Sequence, residues 1–128
     1  MVTSVHTLIY SDDAPATRAF FRDVIGLPFL EHAESSPGWL IFKTGPSEMG
    51  VHPTKGEWEG QTFESPRHHS ISLMCDDIKK TMAEFGAKGA EFRGEPEDMG
   101  FGIGVMMAVP GADDIFLYEP RHPLAYEL

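Results

Sequence analysis

The chain opens on an apolar-rich run, Ser4 to Tyr10, that reads as a strand. The spacing then changes. In DDAPATRAFFRDVIG the residues Phe20, Phe21, Val24 and Ile25 fall on one helical stripe. Asp12 or Asp13 supplies an N-cap, and Pro15 suits the first turn, where a missing N–H costs nothing. Gly26 with Pro28 beyond it predicts the stop. Three strand-like stretches follow: PFLEHAE, GWLIFKT and EMGVHP.

The same order then returns. Ser70 to Cys75 reads as a strand, and Asp76 or Asp77 caps IKKTMAEFGAKG, where Ile78, Met82 and Phe85 recur at helical spacing. Gly86 or Gly89 ends that helix, and AEFRGE, GIGVMMAVPG and DIFLYEP supply three more strands. The polar stretch between the halves carries Gly and Pro at both ends and reads as a linker loop. The organisation is one domain of two modules, about residues 1–54 and 68–122, joined by a linker at 55–67. Each is strand, helix, strand, strand, strand, and one such unit cannot bury both faces of its sheet. The fold class expected is α+β: two βαβββ modules forming a curved eight-stranded mixed sheet, with helices on the convex side and a cup-shaped cavity on the other. A cup of that kind is the usual seat of a ligand.

Composition narrows the function classes. A formal net charge of −10 opposes nucleic-acid phosphates and an anionic membrane surface alike. A single cysteine, Cys75, allows no internal disulfide. With no signal-peptide pattern and no membrane-length apolar stretch, the expectation is a cytoplasmic protein. Cys75 itself is expected to face the helices as an inert thiol. GFGIG is glycine-rich, but it sits inside a strand with no helix after it and so does not read as a nucleotide motif.

The stretches HTLIYSDDAPATRAFFRDVIGLPF, SLMCDDI, KGAEF and VPGADDIFLYEPRHP resemble the vicinal oxygen chelate superfamily, which includes glyoxalase I, bleomycin-resistance proteins, extradiol dioxygenases and fosfomycin-resistance enzymes. The resemblance covers nearly the whole chain, and its motifs speak for the fold more than for an activity. It implies a homodimer. In metal-using members it implies four His or Glu ligands on the cup, one on the first and one on the last strand of each half. The first position falls on His6. The corresponding place in the second half falls on Ser70, because His69 is one residue out of register and strand side chains alternate faces. The last-strand position of the second half falls on Phe116, which cannot ligate. That of the first half falls at Gly50, with Glu48 and His52 two residues to either side.

The ligand set is therefore incomplete, and no cofactor is expected. The cup is expected to be lined by His6, Leu8, Tyr10, His52, Ser70, Ser72, Met74, Phe116 and Tyr118. Arg121 and His122 follow the last strand and are candidates for holding a substrate carboxylate, alongside a plain strand-edge role. The leading expectation is a protein that binds a small, partly hydrophobic molecule without chemistry. The alternative is a metal-dependent lyase, isomerase or extradiol dioxygenase holding zinc, nickel, iron or manganese through His6, His52 and Glu48.

Overall fold

The computed structural model describes residue 1, residues 3–32 and residues 38–128. The first helix, α1, spans Ala14–Ala19 and runs on as a π-helical stretch, Phe20–Ile25. Asp13 is its cap, accepting from the Ala16 N–H at 3.2 Å. Gly26, left-handed at φ 80°, closes it. Helix α2, Ile78–Ala87, is capped by Asp77. The Glu119 carboxylate also accepts from the Ile78 N–H at 3.0 Å, which places a negative charge where the helix dipole is positive.

Eight strands are present among the described residues, in three separate sheets rather than one. Strands β1 (Phe29–Glu31) and β2 (Leu40–Phe42) form one antiparallel pair. Strands β3 (Lys55–Trp58) and β4 (Gln61–Glu64) form another, so the segment expected as a plain linker folds into a hairpin. The main sheet has the order β5 (Ser72–Met74), β8 (Ala112–Pro120), β7 (Gly102–Val109), β6 (Glu97–Asp98). β5 runs parallel to β8 and the other pairs are antiparallel. Of AEFRGE, only an isolated bridge between Phe92 and Met107 is formed. The end of PFLEHAE lies outside the described residues.

The largest departure is at the N-terminus. Residues 3–10 form no strand, and among the described residues backbone hydrogen bonding begins only at Asp12. Val5, Leu8 and Tyr10 stand exposed, Tyr10 at 88%. EMGVHP is likewise unpaired, with Met49 and Val51 exposed. The reason is visible in the packing of α1. Phe20 and Phe21 bury against Met107, Val109 and Ile115, on the sheet of the second half. The helix is fastened there by Asp12 N–H to the Gly111 carbonyl at 2.8 Å. Thr17, buried, adds hydrogen bonds to the Pro110 carbonyl and to Ser11. Both helices therefore share one sheet, and residues 3–10 and 48–53 pair with no strand among the described residues.

Strand parity divides the main sheet cleanly. Leu73, Cys75, Val105, Met107, Ile115 and Leu117 face the helices, and Met107 and Leu117 are fully buried. Burial is the main cause that pushes the Cys75 thiol up from its ordinary value, which keeps it a poor nucleophile. The opposite face opens into a cavity.

Candidate functional site

An open cavity of about 500 Å³ lies on the face away from the helices, lined by Glu48, Met49, Gly50, Ser70, Ser72, Met74, Tyr118 and His122. β5 sends Ser72 and Met74 into it, with Ser70 just before the strand. β8 sets Phe116 opposite Ser72 and Tyr118 opposite Met74. The Phe116 and Tyr118 rings stack, with centroids 5.5 Å apart and planes 21° from parallel. Phe101 meets Tyr118 edge-on at 5.6 Å. The result is an aromatic ledge beside the cavity.

That ledge explains the glycine-rich GFGIG. Gly104 pairs with Tyr118 across β7 and β8. A Cβ on Gly104 would stand 2.7 Å from Phe116 Cε1 and 2.8 Å from Tyr118 Cβ, and one on Gly102 would stand 2.6 Å from the Glu119 carbonyl oxygen. The rings of β8 lie over β7 because these two positions carry no side chain.

At one end the polar groups form a chain. His122 Nδ1 is 2.8 Å from the Pro123 carbonyl, which only accepts, so this nitrogen carries the proton. In the neutral ring Nε2 then accepts from the Tyr118 hydroxyl at 2.9 Å. Glu48 accepts from the Ala125 N–H at 2.7 Å, and its other oxygen stands 3.8 Å from His122 Nε2. The Glu48 side chain is only 16% exposed. Burial, then the Glu48 carboxylate and Tyr126, push the Tyr118 hydroxyl above its ordinary pKa, so it is a neutral donor at physiological pH.

Of the residues anticipated for the cup, Ser70, Ser72, Met74 and Tyr118 come together at the cavity, and Phe116 supports them from the stack. His6, Leu8 and Tyr10 lie on the unpaired N-terminal segment and do not line it. His52 packs its ring on Phe63 at 5.3 Å and bonds the Pro53 carbonyl. Arg121 pairs with Asp98 at 2.6 Å, on the strand at the far edge of the sheet from β5. His122, anticipated beside Arg121, does line the cavity, four residues beyond Tyr118. Met49 carried no such signal.

The donors do not fit the superfamily's metal centre. Among the described residues no three of His, Cys, Asp or Glu are grouped so as to hold an ion. Glu48 is not joined by His6 and His52. Its neighbours are an imidazole already bonded through both nitrogens and a phenol. Stable protein metal sites draw on three or more ligands.

Comparison with known proteins agrees on the fold. The family model for the glyoxalase/bleomycin resistance protein/dioxygenase superfamily matches residues 3–120. Lactoylglutathione lyase from Agrobacterium tumefaciens superposes with a TM-score of 0.60 at 20% identity, covering 91% of this chain and 92% of the other. TnmS3, an antibiotic binding protein from Streptomyces sp. CB03234, gives 0.55 at 18% identity over 94% and 98%. A superfamily member from Sphaerobacter thermophilus gives 0.56 at 20% identity over 92% and 98%. No curated protein sequence matches. With the family model spanning nearly the full length, the chain belongs to the glyoxalase/bleomycin resistance protein/dioxygenase superfamily.

Proposed function

We propose that the protein binds a small, flat, partly hydrophobic molecule in this cavity and performs no metal-dependent reaction on it. The observation that carries the reading is the lining itself. The Tyr118 ring, backed by Phe116, and two methionines offer apolar, adaptable patches in the wall. Ser70 and Ser72 hydroxyls can turn to donate or accept, and Glu48, Tyr118 and His122 orient the polar end. Apolar side chains and a larger share of convergent polar groups meet in one cavity, a make-up that holds a partly hydrophobic molecule in a fixed orientation. TnmS3, which has the same fold, is an antibiotic binding protein, so the reading attributes to this chain a role the architecture already hosts.

The test is a calorimetric screen of planar aromatic compounds against the wild type and against Ser72→Trp, whose indole would fill the cavity. Binding to the wild type that is lost in a folded Ser72→Trp supports the reading. A screen in which nothing binds the wild type, or in which Ser72→Trp binds as well, refutes it.

The exposed N-terminal segment supports a second element of this reading, a homodimer. Val5, Leu8 and Tyr10 with Met49 and Val51 are more apolar surface than a monomer ordinarily leaves to water, and the outer edge of β5 is open. A second copy seated there covers both and brings the separate sheets toward the single curved sheet and cup expected of the superfamily.

A further inference from the structure

We infer that the ligand of this cavity carries a cationic nitrogen, as an amine, amidine or guanidine, on its flat apolar body, with Glu48 as the counter-charge. The inference rests on the binding reading above and names its ligand class. Glu48 is a carboxylate with little access to solvent, held at the cavity wall by the Ala125 N–H. A half-buried carboxylate gains from an opposite charge placed beside it. None of the lining residues is Lys or Arg. The one arginine that the sequence offered as an anion anchor, Arg121, is engaged with Asp98 at the opposite sheet edge. His122 does not serve as a standing partner. Its Nδ1–H is committed to a carbonyl, and in the neutral ring its Nε2 presents a lone pair already taken by Tyr118. The oxygen of Glu48 nearest it, at 3.8 Å, is beyond a hydrogen bond and keeps its acceptor capacity for a donor entering from the cavity.

The remaining polar atoms agree with that polarity. The hydroxyls of Ser70 and Ser72 accept as readily as they donate. Tyr118 adds an aromatic ring to the wall, and an aromatic face favours a cation alongside. An anionic ligand would meet Glu48 with no lysine or arginine in the wall to compensate. The cavity selects by sign as well as by shape.

The experiment uses three probes of one shape: 9-aminoacridinium (cationic), acridine (neutral) and acridine-9-carboxylate (anionic). Affinities are measured calorimetrically at neutral pH and fixed salt on the full chain. The expected order is cation over neutral by about tenfold or more, with the anion weakest, as an ion pair in a partly desolvated site predicts. Glu48→Gln, which keeps an amide oxygen for the Ala125 N–H, should level the cation with the neutral probe and leave the neutral probe unchanged. Glu57→Gln on the exposed β3 removes the same unit of net charge and should leave the preference intact, which separates the site from the chain's overall negative charge. Binding of all three probes with equal affinity, a preference for the anion, or a preference that survives Glu48→Gln overturns the inference while the binding reading stands. A folded wild type that binds none of the three overturns both.

Discussion

Replacing Gly104 with Ala probes the aromatic ledge at its foundation. At an ordinary strand position the change would gain about 0.5–1 kcal/mol, by restricting the unfolded chain. Here the new methyl lands 2.7 Å from Phe116 Cε1 and 2.8 Å from Tyr118 Cβ. The Phe116 ring can swing aside. Tyr118 Cβ is fixed to the backbone of the paired strand, so β7 and β8 must move apart. Overpacking of this kind costs about 1–3 kcal/mol; with backbone as well as ring in the way the upper half of that range applies, about 2–3 kcal/mol, and the steric term wins by about 1–2 kcal/mol. For a domain of this size that is a fall in Tm of about 4–8 °C. The assay is urea unfolding followed by circular dichroism, with Gly86→Ala as the control. Gly86 lies in α2 with nothing within 4 Å of a Cβ, and its change to Ala should stabilise by about 0.5–1 kcal/mol. Phe116→Ala in the Gly104→Ala background should recover part of the loss, giving a non-zero coupling in the double-mutant cycle. If Gly104→Ala stabilises as Gly86→Ala does, or if the cycle shows no coupling, the ledge does not rest on the glycines and the account of GFGIG is wrong.

Other outcomes follow from the core, the helix anchor, the phenol and the N-terminal segment. Met107→Ala empties a fully buried position and should cost about 2–5 kcal/mol in urea unfolding. Thr17→Val keeps the shape but strips the bonds to the Pro110 carbonyl and Ser11, and should cost about 1–3 kcal/mol, where an unchanged midpoint would show the anchor to be idle. Ultraviolet titration should show Tyr118 ionising above the free-tyrosine value of 10.0, and Glu48→Gln should bring it part of the way back, burial being the larger cause. The folded value is the raised one, so this group's contribution to stability is complete below the unfolded value near 10 and is lost as pH climbs through the folded value. Light scattering at micromolar concentration should give twice the 14.2 kDa chain mass, and Leu8→Asp with Tyr10→Asp should halve it, whereas a monomeric wild type would remove the case for the dimer.

Much of this was legible because it is local. Asp13 and Asp77 cap, Gly26 stops, and the stripe of Ile78, Met82 and Phe85 faces the sheet, all through contacts within a turn or two of each residue. Strand parity was enough to send Ser70, Ser72 and Met74 to the cavity and Cys75 to the helices. What failed to show was pairing. The apolar run at residues 4–10 reports that those side chains seek cover, not which strand provides it, and among the described residues it pairs with none. The hairpin at 55–64 was hidden for a related reason. Its strands are polar and exposed, and the signal was Glu59 and Gly60 at positive φ, a turn of two residues inside what reads as a loop. The pairing of Arg121 with Asp98 was equally hidden, because the two lie two strands apart across the sheet.

The fastening of α1 to the turn at Gly111 has a consequence for how the chain is made. Phe20 and Phe21 leave the ribosome early, but the surface that covers them, Met107, Val109 and Ile115, emerges last. At the usual pace of synthesis, about 5–20 residues per second, these two rings wait for several seconds with their greasy faces bare. The first half cannot fold ahead of the second, as an independent module would. The nascent polypeptide should accordingly stay sensitive to protease and attractive to chaperones until nearly its full length is out, and a stop codon anywhere before residue 115 should leave an insoluble fragment rather than a small folded unit.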